Sequence, residues 1–345
     1  MPRAAFPAGG PAVSEQLLQV RGLSVQFPQR RAVLFGAHRW LTAVDGVDLD
    51  ILAGQSVGIV GESGCGKSTL ARAILGLVKP AAGSILWRGT PVRFGEAAGL
   101  RRMRRELQVV FQDPIGSLDP RMTIGASVAE ALVALEGPRP RAACDARVAA
   151  TLAEVGLDAG LARRYPHELS GGQCQRAAIA RAIVARPRLL VCDEAVSALD
   201  VSVQAQIVNL LAGLRERHGL ALLFISHNLA VVRHLSDEVV VLYLGRIVER
   251  AAREALFAMP RHPYTRALLA AVPEPDPAAW SAGRRVPTAQ GEPAPSQASA
   301  SAGCAYAVRC PFADERCRRE TPPLEPDGTG HFTACHHWRV LPRQA

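Results

Sequence analysis

The sequence predicts an α/β fold built around a mainly parallel sheet, and three observations carry that expectation. Short apolar runs, among them Val57–Val60, Leu189–Cys192 and Gly219–Ile225, alternate with stretches of helical periodicity, the order that βαβ units require. Each run stops at small or polar residues, namely Gly61, Asp193-Glu194 and Ser226-His227, and open α/β sheets bind ligands at such strand ends. From Val57 to Thr69 the chain reads as strand, glycine-rich turn and helix start, a junction whose backbone N–H groups and helix N-terminus suit an anion.

Taken in order, residues 1–16 are rich in Pro, Gly and Ala without periodicity and read as a flexible tail. Leu17–Phe27 alternates like a strand, an insertion spans Pro28–Trp40, and Ala43–Ile51 alternates again. Ala53-Gly54 turns the chain into the strand before the glycine loop. Leu70–Leu75 continues as a helix, Pro80–Gly83 turns, and Ser84–Trp87 and Leu107–Phe111 read as strands. A helical segment runs from Thr123 to about Arg164, broken at Gly137–Pro140. Ser170 is a natural N-cap for the Ala/Ile/Arg helix that ends at Arg186-Pro187. A further helix covers about Val203–Arg217, and Val239–Glu249 reads as strand, Leu244-Gly245 turn and returning strand. Beyond Met259-Pro260 the chain changes character: a short helix over Arg266–Ala271, a Pro/Ala/Ser/Gly-rich linker over 273–303, and a cysteine-bearing end.

Gly61–Ser68 fits G-x-x-x-x-G-K-[ST], the phosphate-binding P-loop. Gly61, Glu62, Ser63, Gly64, Cys65, Gly66, Lys67, Ser68 and Thr69 are therefore the candidate nucleotide-binding residues. Lys67 would reach the β- and γ-phosphates, Ser68 would hold Mg²⁺, and Thr69 would lie beside the α-phosphate. Asp193 and Glu194 close a buried strand as a Walker B pair. Asp193 would hold the magnesium and Glu194 would polarise the attacking water, because phosphoryl transfer asks mainly for positioning and charge stabilisation. An aromatic residue ahead of such a strand pair commonly stacks on adenine; Phe27 is the candidate and Trp40 the runner-up.

Leu169-Ser170-Gly171-Gly172-Gln173, together with Gln112, Ser197–Asp200 and His227, follows these motifs in an order that resembles the ATP-binding cassette (ABC) family over about residues 17–258. The resemblance implies an ABC-type P-loop domain with a parallel core, an antiparallel β subdomain and a helical subdomain at about 113–168, followed by an irregular extension at 259–345. It implies ATP and Mg²⁺ as cofactors and a head-to-tail dimer in which Ser170, Gly171, Gly172 and Gln173 close on the partner's ATP. Gln112 would contact Mg²⁺ and the water, Ser197 and Asp200 belong to the loop that crosses the dimer, and His227 would sit at the γ-phosphate. Two departures stand out: Ala195 follows Glu194 where Pro is usual, and Cys174 follows the signature.

Finer wording resembles the F-type subunit of oligopeptide and dipeptide importers: Val110–Pro114, Ser117–Gly125, Gly172–Arg176, Val196–Gln206, Tyr243–Gly245 and the arm with His262–Thr265. That branch implies an ATPase subunit working with a second cassette (heterodimer favoured over homodimer), two transmembrane permeases and, indirectly, an extracytoplasmic substrate-binding protein. Nickel or another small solute is the alternative cargo. A soluble ATPase acting on nucleic acid or ribosomes is the distant alternative, and the short interval from Gln112 to Ser170, without heptads, disfavours it.

Composition agrees with a globular chain of 345 residues, 48% hydrophobic and 21% charged. No apolar run approaches the ~18–20 residues of a membrane helix, and Met1–Pro7 lacks a signal-peptide core. The expectation is a peripheral protein on the cytoplasmic face of the membrane. A net charge of +9 suits an anionic surface, and basic runs such as Arg101–Arg105 read as solvated helix faces with no nucleic-acid partner. Four of the eight cysteines crowd the end: Cys304, Cys310, Cys317 and Cys335. Four thiols suit a [4Fe–4S] cluster or a zinc site, although their spacings match neither zinc ribbons nor ferredoxin runs; the resembling branch can carry such a cluster in its extension, and free or disulfide thiols are the third reading. His331, His336 and His337 read as packing or surface histidines.

Overall fold

Five parallel strands set the frame. The computed structural model describes residues 15–28, 40–271 and 303–341. Strands β3 (Ser56–Val60), β6 (Leu107–Val110), β7 (Leu189–Asp193), β8 (Ala221–Ile225) and β9 (Glu238–Tyr243) run parallel in the order β9-β3-β8-β7-β6. Strand β10 (Arg246–Ala252) returns antiparallel to β9 through the turn at Leu244-Gly245. Strands β3, β7 and β8 are buried along their whole length, as expected of strands covered on both faces.

Period-two alternation divides their side chains between two cores. Leu190, Cys192, Leu222, Phe224, Val239 and Val241 face one, while Val57, Ile59, Val191, Leu223, Val240 and Leu242 face the other. On the second face lie α1 (Lys67–Ile74) and an antiparallel sheet ordered β2-β1-β4-β5, made of β1 (Gln16–Pro28), β2 (Trp40–Leu52), β4 (Ala82–Trp87) and β5 (Thr90–Pro91). Short α2 (Ala97–Glu106) buries only Met103 and leaves its arginines largely solvated. On the first face pack α3 (Ile124–Glu136), α4 (Arg141–Glu154), α5 (Gly171–Ile183), α6 (Val201–His218) and α7 (Leu229–Leu235). The helical segment breaks at Gly137–Pro140, as its sequence requires, and closes with 3-10 turns at Ala159–Arg163 and Pro166–Glu168.

Three expectations change. The first strand begins at Gln16, and Glu15 ahead of it is gripped by Arg88 and Arg188, so ion pairs order the chain earlier than composition implied; residues 1–14 lie outside the described residues, as do 29–39 of the insertion and 272–302 of the linker. The helix expected at Arg266–Ala271 begins earlier, as α9 (Pro263–Ala270), because the ring nitrogen of His262 caps it and Pro263 occupies its first position. It follows α8 (Arg253–Ala258). The extension also proves less irregular than expected. Strands β11 (Glu325–Pro326) and β12 (Phe332–Thr333) pair with each other, and β12 pairs with β10 through Glu249↔Thr333 and Arg250↔Phe332, so the extension adds the last two strands to the main sheet.

A buried carboxylate pins this addition. Glu249 is fully buried and accepts from the backbone N–H groups of Arg261 (2.7 Å) and His262 (3.0 Å) and contacts His331 Nε2 at 2.7 Å. Burying a charge is tolerated when it is so satisfied. Burial pushes His262 down to about 4. Arg261 also pairs with Asp327 at 2.6 Å and lies over Trp338. His331 is thus a packing residue, as its sequence context implied.

Candidate functional site

The glycine loop joins the end of β3 to α1, and its backbone could not be made from other residues. Gly66 has φ +107, and a Cβ there would lie 2.3 Å from the Ala43 carbonyl oxygen. That close approach seats the loop against β2 and fixes where α1 begins. Lys67, buried at 3% exposure, donates from Nζ to the carbonyl oxygens of Gly61 and Glu62, both at 2.9 Å. The same Nζ lies 4.0 Å from Glu194 Oε1.

Parallel pairing of β3, β8 and β7 brings three strand ends together here. Ser68 Oγ donates to Asp193 Oδ1 at 2.9 Å. Burial raises the Asp193 carboxyl above its usual range, and the Ser68 hydrogen bond opposes that rise. A hydroxyl and a carboxylate in contact beside an ammonium form a hard-oxygen pair that suits a magnesium–phosphate ligand. Glu194 follows with φ +51, rare for a non-glycine residue. Its N–H donates to the Ile225 oxygen at 3.0 Å, and Ser197 donates to its carbonyl from N–H (3.1 Å) and Oγ (2.9 Å). The turn is therefore held shut although Ala195 replaces the usual Pro. Glu194 Oε2 lies 3.7 Å from His227 Nδ1; the carboxylate is 13% exposed and the imidazole 53%. Lys67, Ser68, Asp193, Glu194 and His227 thus converge at the ends of these strands.

Gln112, Phe27 and Trp40 make no hydrogen bond or ion pair with this group among the described residues. Gln112 is exposed just past the end of β6. Phe27 (38% exposed) and Trp40 (53%) lie on paired strands at one end of the β1–β2 ladder, where Phe27 opposes Leu41 and Trp40 opposes Pro28. Among the described residues, no hydrogen bond or ion pair joins Ser170–Gln173 to the glycine loop. Ser170 instead caps α5: its Oγ accepts from Gln173 N–H at 3.3 Å while Gln173 Oε1 accepts from Ser170 N–H at 3.0 Å. A Cβ on Gly172 would meet Val203 Cγ1 at 2.7 Å, so this glycine lets α5 approach α6. Asp200 caps α6 through Val203 N–H and accepts from Ser202 Oγ, and the Ser202 hydrogen bond lowers its carboxyl. The unusual Cys174 is buried and donates from Sγ to the Pro166 oxygen at 3.4 Å.

At the chain's end, Cys304, Cys310, Cys317 and Cys335 come within electrostatic reach of one another. Burial first, and then the neighbouring thiols, push Cys310 and Cys335 up to about 11. Among the described residues, the His, Cys, Asp and Glu side chains that gather within 4.8 Å as a candidate ion site are Asp314, Cys317 and His337. His336 instead contacts the Glu320 oxygen.

Sequence reasoning missed one contact of the loop. Arg309, in the extension, makes a two-pronged ion pair with the Glu62 carboxylate at 2.7 and 2.8 Å, and Tyr264 Oη accepts from Glu62 N–H at 2.8 Å. The cue available beforehand was a carboxylate, Glu62, within a loop that binds anions.

Comparison with known proteins accords with this geometry. The ABC transporter family matches residues 44–197, and the oligopeptide/dipeptide transporter C-terminal region matches 248–317. The oligopeptide transport ATP-binding protein OppF of Haemophilus influenzae is 45% identical over 93% of this chain and 97% of its own length. Its Salmonella typhimurium counterpart is 47% identical over 91% and 95%. Among solved structures, cbiO1 from Clostridium perfringens, part of the ABC transporter complex cbiONQ, is 28% identical with TM-score 0.60, covering 71% of this chain and 91% of that one. The dimeric cassette MJ0796 in a post-hydrolysis state with ADP and Pi is 26% identical with TM-score 0.62, covering 69% and 99%. The chain belongs to the ABC transporter family, as an ATP-hydrolysing member of its oligopeptide/dipeptide transport branch.

Proposed function

We propose that this protein drives oligopeptide import from the cytoplasmic face of a membrane, coupling ATP hydrolysis at a cassette dimer to two permease subunits fed by a substrate-binding protein. The observation that carries this reading is the convergence of Lys67, the Ser68–Asp193 pair and the Glu194–His227 pair at three strand ends, with the Ser170–Gln173 loop left outside that group. Such a loop serves a second nucleotide, and a second cassette supplies the missing half here. A heterodimer is favoured over a homodimer. No helix among the described residues is long and apolar enough to cross a membrane, so the permeases provide the path. We assign 17–258 to the cassette, with its helical subdomain at about 113–168, and 259–345 to the extension.

When bound, magnesium would supply positive charge that offsets the negative charge of the phosphates. Ser68, Asp193 and Gln112 are the residues that would hold it. Gly61–Thr69 cradles the phosphates, with Lys67 placing a positive charge where negative charge grows. Glu194 accepts a proton from the attacking water, and His227 steadies the Glu194 carboxylate and the γ-phosphate. Phe27 stacks on adenine, with Trp40 as the neighbouring alternative. Ser197 and Asp200 line the dimer seam.

The four cysteines are the proposed ligands of a [4Fe–4S] cluster, with zinc as the second reading. Their mutual electrostatic reach supports a shared site. Anaerobic purification with iron, sulfide and zinc analysis tests this: stoichiometric zinc without iron overturns the cluster. Peptide uptake by vesicles carrying the assembled transporter tests the cargo, and uptake of nickel in place of oligopeptides would replace it.

A further inference from the structure

We propose that Arg309 is a positioning residue for the nucleotide site, acting on Lys67 through Glu62. Glu62 is held at three points. Its carboxylate receives both terminal nitrogens of Arg309, its N–H donates to Tyr264 Oη, and its carbonyl oxygen accepts from Lys67 Nζ. Two of these grips come from the extension and the third is the phosphate-binding ammonium itself. A shift of Glu62 therefore moves a ligand of Lys67.

The extension is built to hold this clamp still. Tyr243, Tyr264 and Tyr306 are all buried and their rings form a mutually contacting triangle, with centroids 4.6, 5.2 and 5.4 Å apart. The Arg309 guanidinium lies 5.9 Å from the Tyr243 ring centre and 5.8 Å from that of Tyr306. Its side chain is 11% exposed. A planar guanidinium, stacked and bidentate, fixes a carboxylate in direction as well as distance. The Glu62 carboxylate reaches none of the other site residues by hydrogen bond or ion pair among the described residues, which leaves positioning as its task. Tyr243 ends β9, so the clamp also ties the main sheet to the loop.

The consequence is a tuned ammonium. Displacing a group that contacts reacting phosphates weakens binding and chemistry even when the displaced contact is remote. The full-length chain is tested with a fluorescent ATP analogue at equilibrium, and the assembled transporter with steady-state hydrolysis. Coupled contacts of this kind are worth about fivefold to tenfold in an equilibrium constant. Arg309→Met is expected to weaken nucleotide binding by that factor and to raise KM more than it lowers kcat. Arg309→Lys recovers part of the loss, since one charged donor remains. Glu62→Gln gives a similar loss, and the double variant is no worse than either single one.

A purely structural clamp gives another pattern. Arg309→Met would then lower the melting temperature while the nucleotide affinity of the folded fraction stays within twofold of wild type. Additive losses in the double variant would likewise overturn the assignment. Wild-type nucleotide affinity in all four variants would do the same.

Discussion

Replacing Glu249 by Leu removes the carboxylate on which the extension is fastened to the main sheet. Glu249 is fully buried, accepts from the N–H groups of Arg261 and His262, and contacts His331 Nε2. Leucine fills similar volume but accepts nothing. The imidazole of His331 can rotate toward another partner, whereas the two backbone N–H groups are fixed by the chain entering α9. Each stranded buried donor costs about 1–3 kcal/mol, so the two fixed ones set a loss of about 2 kcal/mol and the full network about 3–5 kcal/mol. Hydrogen exchange reads this locally, because opening of the extension need not unfold the cassette. Amides of Arg261, His262 and Tyr264 and of 332–334 are expected to exchange at least ~30-fold faster, the factor that 2 kcal/mol represents. Glu249→Gln, which keeps one acceptor oxygen, falls between. Unchanged exchange in Glu249→Leu refutes the pinning argument.

Two further outcomes follow from particular side chains. Burial holds His262 near 4, below the ~6.5 of an exposed histidine, so the unfolded chain binds the extra proton first. Stability is then full above about pH 6.5 and declines as pH falls toward 4, by at most about 3 kcal/mol; thermal melts from pH 7.5 to 4.5 show the decline, and His262→Asn removes its share. Gly172→Ala places a methyl 2.7 Å from Val203 Cγ1 and costs about 1–3 kcal/mol by overpacking, opposite in sign to the usual gain from alanine in a helix. Val203→Ala in the same chain restores the loss, as denaturant titration would show.

Much of the cassette was legible because its signals are local. Buried strands such as Leu189–Asp193 and Ala221–Ile225 are continuous apolar runs ending at polar residues, and Ser170 and Asp200 announce the helices they cap. The P-loop is a contiguous string, so its chemistry could be read without a fold. What escaped was set by tertiary contact. Strand β12 is two residues long and exists because β10 and Glu249 offer it partners. Helix α7 has seven residues, too few for periodicity to speak. Arg309 and Glu62 lie far apart in sequence, and a charge in a polar segment does not name its partner until the chain is folded.

Glu194, held in its left-handed turn between Lys67 and His227, is the proposed base that activates water at a site completed by a second cassette. Glu194→Gln keeps the shape and removes the basic carboxylate. The measurement is ATP turnover by the assembled transporter, read beside nucleotide occupancy and cassette dimerisation. Turnover is expected to fall at least ~100-fold, within the range for losing a general base, with ATP bound and the dimer closed. Wild-type turnover in Glu194→Gln would contradict this role.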